Sequence, residues 1–289
     1  MNPNDTKKGP PFTGPDFLCI GAQKAGTGWL YEQLRSHPDF WMPPVKELHY
    51  FDRFWRSPRI SATEKQRGAL KNARDERDKT FLSDFEILSG RPDIDLAGYA
   101  SLFRAKGNLF SGDITPGYST LPEEMIERIV RHFAGLKVIF LARDPVERAW
   151  SHLSMWVRHG RLDAFDANDL DQVTKHLSRP EVMLRSHPSR IVARWRRYVG
   201  PEFFRIYFFD DLKREPKQLR RSIIEFLGGD PSKSSGHLPP DYDAKAKQKR
   251  LELPARTRAH VARFFESELR ASAEELGGAA QDWPGRYGF

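Results

Sequence analysis

Cysteine occurs once in the 289 residues, as Cys19. A single thiol cannot close an internal disulfide, so the covalent structure requires no oxidising compartment. Cys19 lies inside an apolar run and reads as a small core residue. Long hydrophobic runs are also missing: none approaches the ~20 residues that span a bilayer. The opening stretch, "MNPNDTKKGPPFTGPD", carries no apolar segment of the secretory kind. Residues 1–15 therefore read as a flexible lead-in, and the expectation is a cytoplasmic protein with no membrane partner. The nine histidines show no metal-ligand spacing, so no metal site is expected. There is no internal repeat and no long low-complexity tract.

Positive charge is in excess: 47 lysines and arginines stand against 39 aspartates and glutamates, a formal net charge of +8. Such a balance suits an anionic ligand, and equally an ordinary basic surface. The basic residues are scattered, with local clusters only in "DLKREPKQLRR" and "KAKQKR". No recognition motif accompanies them, so no nucleic-acid partner is expected; a basic nucleic-acid-binding protein remains a rival reading. The length accommodates one core, expected as a single domain over residues 16–289.

Short apolar runs alternate with segments of helical spacing. Phe17–Gly21, His49–Phe51, Asn108–Gly112, Val138–Ala142 and the run "FFRIYFFDDL" read as strands. Thr27–Ser36, Pro122–Phe133, Val146–His159, Ser189–Tyr198, Gln218–Leu227 and Ala255–Leu276 read as helices, and the charged Ser61–Lys79 as a solvated one. This alternation predicts an α/β chain, a three-layer sandwich around a mostly parallel central sheet. Sheets of that kind bind ligands at the carboxyl ends of their strands.

Two such ends carry anion chemistry. The first is "GAQKAGTG", Gly21 to Gly28, which closes one strand and opens a helix. Backbone N–H groups at a glycine-rich helix start attract an anion, Thr27 adds a hydroxyl and Lys24 a mobile charge. The Walker A pattern would place lysine and then serine or threonine after the second glycine. Here Lys24 precedes Gly26 and Ala25 follows the lysine, so no hydroxyl is placed to hold a metal with a nucleotide. The second end is "VIFLARDPVERAWSHL", with Arg143 at the end of a buried strand and Ser151 in the helix beyond. A guanidinium there can grip a phosphate through two parallel bonds, or it can simply pair with Asp144 or Glu147.

Together these segments resemble sulfotransferases that use 3′-phosphoadenosine 5′-phosphosulfate. The first loop is similar to their 5′-phosphosulfate loop, and "VIFLARDPVERAWSHL" to their 3′-phosphate segment. "HPDFWMPPVKELHYFD" resembles the acceptor-side motif of the heparan-sulfate-type (carbohydrate) branch, and "GDITPGYS" that branch's Thr-Pro-x-Tyr segment. The likeness runs from Phe17 to the final helix. It implies a P-loop-like fold, a reaction without a metal ion, and a donor held at both phosphate ends. Lys24, Ala25, Gly26, Thr27, Gly28 and Trp29 would line the 5′ end; Arg143 and Ser151 would hold the 3′-phosphate. Lys247, Lys249 and Arg250, in the basic loop before the last helix, would close over the donor. One departure is Ile114, which stands where relatives often carry a lysine before Thr-Pro.

Sulfuryl transfer needs a group that takes the acceptor's proton and another that steadies the departing phosphate. Lys24 suits the second task. For the first, Glu47 and His49 both stand in "KELHYFD". Neutral histidine suits pH 7 better on intrinsic pKa, while the resemblance favours Glu47. Lys46, Asp52 and Tyr118 are the candidates for contact with the acceptor. That acceptor is expected to be a small molecule or glycan offering a hydroxyl, with an amine as the alternative. A magnesium-dependent P-loop kinase is the other rival, with Asp144 as a weak imitation of the Walker B acid.

Overall fold

The computed structural model describes residues 14–54, 70, 73–162, 164–233, 238–242 and 251–289. Four parallel strands form its sheet: β1 (Phe17–Gly21), β2 (Gly112–Ile114), β3 (Lys137–Ala142) and β4 (Phe204–Phe208), in the order β2-β1-β3-β4. Parallel strands need crossovers, and helices supply them. In chain order these are α1 (Thr27–Arg35), α2 (Glu76–Ser89), α3 (Leu96–Leu102), α4 (Glu123–His132), α5 (Pro145–Arg158), α6 (Leu170–Leu177), α7 (Pro180–Met183) and α8 (Pro188–Arg196). After β4 come α9 (Phe209–Arg214), α10 (Pro216–Leu227), α11 (Ala255–Phe264) and α12 (Glu266–Leu276).

Every residue of β1 is buried, and so are five of the six in β3. Both faces of the two central strands are therefore covered, which accounts for their continuous apolar runs. The outer strand β4 is only partly covered, with Arg205 exposed and Ile206 half-buried between buried Phe204 and Tyr207. The chain leaves β1 toward β2 on one side, then crosses back to β3 on the other. Strand order thus reverses between β1 and β3, and the crevice beyond their carboxyl ends is where such sheets take ligands. Both segments expected to bind an anion leave the sheet there.

Three local expectations are corrected. His49–Phe51 is not a strand: His49 has φ 56°, in the left-handed region, and the chain turns at once. The strand expected at Asn108–Gly112 lies later, at Gly112–Ile114, because Phe110 makes only an isolated bridge with Phe40. The last helix is broken at Phe265, whose ring is 1% exposed. The break turns α12 against α8, where the Glu268 carboxylate accepts from Ser189 N at 2.9 Å and Ser189 Oγ at 2.8 Å. Of the expected helix Ser61–Lys79, residues 61–69 and 71–72 lie outside the described residues; a helix begins at Glu76 and runs on to Ser89.

Candidate active site

The glycine-rich loop leaves β1 at Gly21 and enters α1 at Thr27 through Gly26. Gly26 has φ 94°, and a Cβ there would stand 2.7 Å from Leu212 Cδ2 on α9, so both backbone and packing demand glycine. No side chain caps α1 and no acidic residue stands in its first turn. Its first N–H groups and its positive dipole end therefore face the crevice without an internal anion. Lys24 has φ 75°, an unusual conformation for a lysine, which the loop holds against its steric cost. Ala25 is 1% exposed, so it lines the loop by backbone alone. Gly28 meets no atom within 4 Å of a built Cβ, so packing does not explain glycine there. Trp29 donates from Nε1 to Pro240 O at 2.6 Å, and Gln33 Nε2 to Pro239 O at 2.9 Å. These bonds strap residues 239–240 across α1. Lys247, Lys249 and Arg250 lie outside the described residues.

Arg143 stands one residue beyond β3, and the adjacency of β1 and β3 brings it onto this loop. Its Nη1 donates to Lys24 O at 2.6 Å. Its Nη2 pairs with Glu147 Oε2 at 3.1 Å, and its Cζ lies 4.2 Å from the centroid of the Phe209 ring. The pairing with Glu147 is thus real, but the side chain is 11% exposed and not on an open surface. Asp144 does not face the crevice as a Walker B acid would. It is 1% exposed, caps α5 by accepting from Val146 N at 2.9 Å, and accepts from Tyr287 Oη at 2.8 Å. Burial pushes its carboxyl up, and despite the Tyr287 bond it reaches about 6. Ser151 is half-buried on the same helix.

The acceptor-side motif approaches from the other flank. Lys46 Nζ lies 3.4 Å from Thr27 Oγ1 and 3.3 Å from Glu47 Oε1, so it bridges the glycine-rich loop and the motif. His49 sits between two carboxylates: Nε2 is 2.9 Å from Glu47 Oε2, and Nδ1 is 2.9 Å from Asp52 Oδ2. Burial pulls the His49 imidazolium down, but its bonds to Asp52 and Glu47 outweigh that, and the pKa is raised. Asp52 is 3% exposed and Gly117 packs on it, since a Cβ at 117 would stand 2.2 Å from Oδ2. Asp52 is thus buried against His49 and Gly117. Tyr118 is bonded to the same motif. It is 0% exposed, donates to Asp113 Oδ2 at 2.6 Å and accepts from Tyr50 N at 3.1 Å, so it supports the motif from beneath.

The family profile of sulfotransferases matches residues 15–231, well over half of the chain, and spans the glycine-rich loop, the Arg143 segment and the acceptor-side motif. This chain belongs to the sulfotransferase family. The membrane-associated sulfotransferase kil1 of Dictyostelium discoideum is 25% identical over 176 residues, which make up 60% of this chain and 30% of that longer protein. A sulfotransferase from Alicyclobacillus acidocaldarius superposes with a TM-score of 0.64 at 21% identity, covering 93% of this chain and 98% of that one. The sulfotransferase domain of the Synechococcus PCC 7002 olefin synthase gives 0.55 at 18% identity, covering 97% of each chain. At these identities the two structures speak for the fold. Among the described residues no helix is long and apolar enough to cross a membrane.

Two parts of this candidate site carried no reading in the sequence. Asp113 lies fully buried beneath the acceptor motif, accepting from Tyr99 at 2.9 Å, Tyr118 at 2.6 Å and Thr115 at 2.6 Å. Burial raises its pKa while the three hydroxyls oppose the rise. The signal was a lone acid between Gly112 and Ile114 in an otherwise apolar stretch. The other part is the turn after β4, where Phe209, Leu212 and Lys213 close on Gly26 and Arg143. "FFRIYFFDDL" reads as one long strand, which hid the start of α9 at Phe209.

Proposed function

We propose that this chain transfers a sulfuryl group from 3′-phosphoadenosine 5′-phosphosulfate to the hydroxyl of a small-molecule or glycan acceptor, with an amine as the alternative. The observation that carries the reading is convergence: Arg143 bonds the Lys24 carbonyl while Lys46 touches both Thr27 and Glu47. Two anion-binding segments and a carboxylate–imidazole pair thus share one crevice. The donor set fits a nucleotide charged at both ends. The uncapped start of α1, Lys24 and Thr27 would meet the 5′ end; Arg143 and Ser151 would meet the 3′-phosphate.

In this mechanism Glu47 accepts the proton of the acceptor hydroxyl as its oxygen bonds to sulfur. The bond between sulfur and the bridging phosphate oxygen breaks in line, and Lys24 follows the charge onto that oxygen. His49, held by Asp52, keeps Glu47 aimed and steadies its charge. Lys46 holds Glu47 near the loop. Among carboxylate and imidazole, Glu47 is favoured as the base because the raised pKa of His49 leaves that ring protonated more readily. The heparan-sulfate-type motif supports a glycan acceptor, and the single buried cysteine is compatible with a cytoplasmic setting. The relative kil1 carries the description membrane-associated, so location belongs to the proposal.

Calorimetry with adenosine 3′,5′-bisphosphate tests the reading. Binding is expected with magnesium and with EDTA alike, and Lys24→Ala or Arg143→Ala weakens it at least ~10-fold. Preference for ATP with magnesium would favour the kinase, and tight, salt-sensitive DNA binding the nucleic-acid reading.

A further inference from the structure

The cation opposite Arg143 comes from α9, an element that none of the anion-binding segments contains. Lys213 Nζ lies 2.8 Å from Glu147 Oε2, the same oxygen that takes Arg143 Nη2 at 3.1 Å. Both cations also stand over one ring, Arg143 Cζ at 4.2 Å and Lys213 Nζ at 5.2 Å from the Phe209 centroid. Two positive charges therefore converge on a single carboxylate oxygen above an aromatic face. A phosphate dianion placed between them would meet both.

The surroundings hold this arrangement in place. Leu212 packs against Gly26, where even a methyl group would clash, so α9 is fixed to the glycine-rich loop. Glu147 is the third residue after Asp144, which caps α5, and stands on the first turn of that helix. Lys213 is 49% exposed along its side chain, so its ammonium can shift from Glu147 to an incoming oxygen without leaving water behind. Burial alone would raise the Glu147 carboxyl, but Lys213 and Arg143 hold it below the usual range, so it is ionised at neutral pH.

We propose that Lys213 is a second ligand for the donor's 3′-phosphate and that Glu147 holds Lys213 and Arg143 together until that phosphate displaces its carboxylate. The inference deepens the proposed function and rests on Arg143 meeting that phosphate. Its consequence is specificity: Lys213 distinguishes nucleotides that carry a 3′-phosphate from those that do not. Arg143 supplies the fork, and Lys213 a point charge on the far side of the phosphate.

The test compares adenosine 3′,5′-bisphosphate with adenosine 5′-monophosphate by calorimetry on the full chain. Lys213→Ala is expected to weaken the bisphosphate by roughly three- to tenfold and to leave the monophosphate unchanged. Lys213→Arg restores the difference. Glu147→Gln, which removes the competing charge, tightens the bisphosphate. Arg143→Ala separates the two levels of the account. If it leaves the ratio of affinities unchanged, the donor reading itself fails. If it lowers the ratio while Lys213→Ala does not, this inference alone is overturned. Equal loss of both nucleotides in Lys213→Ala, or a weaker bisphosphate in Glu147→Gln, also overturns it.

Discussion

Glu47 and Asp52 hold one imidazole between them, and that arrangement decides what each residue can do. His49 bonds Asp52 through Nδ1 and Glu47 through Nε2, so the ring cannot rotate without losing a charged partner. The pH dependence of turnover is therefore expected to follow His49, whose pKa these two bonds raise. Glu47→Gln is expected to leave the affinity for adenosine 3′,5′-bisphosphate intact while turnover falls ~10²–10⁴-fold, as measured by calorimetry and a sulfuryl-transfer assay. Unchanged turnover would move the base to His49. Asp52→Asn removes one of the two carboxylates that raise the His49 pKa. The imidazolium that orients Glu47 is then lost at a lower pH. The alkaline limb of kcat/KM should therefore shift downward in pH, and an unshifted limb would deny Asp52 this role.

The sequence puts Glu47 and His49 in one short motif but does not show how their side chains meet. An extended strand would place residues two apart on one face. The two side chains do meet, but across a left-handed turn at His49 with φ 56°. Asp113 was not legible as a support, because a carboxylate within a buried strand is recognised only by the hydroxyls that surround it. Those come from Tyr99, Thr115 and Tyr118, of which Tyr99 is distant in sequence.

The unit β3–α5 was read nearly to the residue, since a continuous apolar run, an Asp-Pro start and helical spacing all agree there. What the sequence could not show is the clasp that the chain's end places on it. Tyr287 donates to Asp144, Arg286 Nη1 lies 3.6 Å from the same carboxylate, and Arg286 Nη2 bonds Asp210 at 2.5 Å. Asp144 titrates at about 6 in the folded chain, above its ordinary 3.8. The folded state therefore binds this proton more tightly than the unfolded one. The stability it contributes is complete below about pH 4 and is lost as pH rises through about 6, at most ~2–3 kcal/mol. Asp144→Asn keeps a capping oxygen and removes the titration. Urea denaturation between pH 4.5 and 7 should show a flatter stability profile for the variant than for the parent. Parallel profiles would mean that Asp144 titrates alike in both states.

Across the whole molecule, the sheet order explains why segments more than a hundred residues apart make one site. β1 and β3 lie side by side at the point where strand order reverses, so the Gly26 loop and Arg143 leave the sheet together. The parallel sheet was legible from alternating apolar runs and helices. The pairing of β1 with β3 was not, because strand order is set by crossover packing, which local pattern does not encode.

The most direct measurement is a crystal structure of the chain with adenosine 3′,5′-bisphosphate. The account predicts one nucleotide spanning the crevice, its 5′-phosphate on the N–H groups at the start of α1 and its 3′-phosphate on Arg143, with Glu47 opposite the 5′ end. A nucleotide bound at only one of these ends, or outside the crevice between β1 and β3, would contradict it.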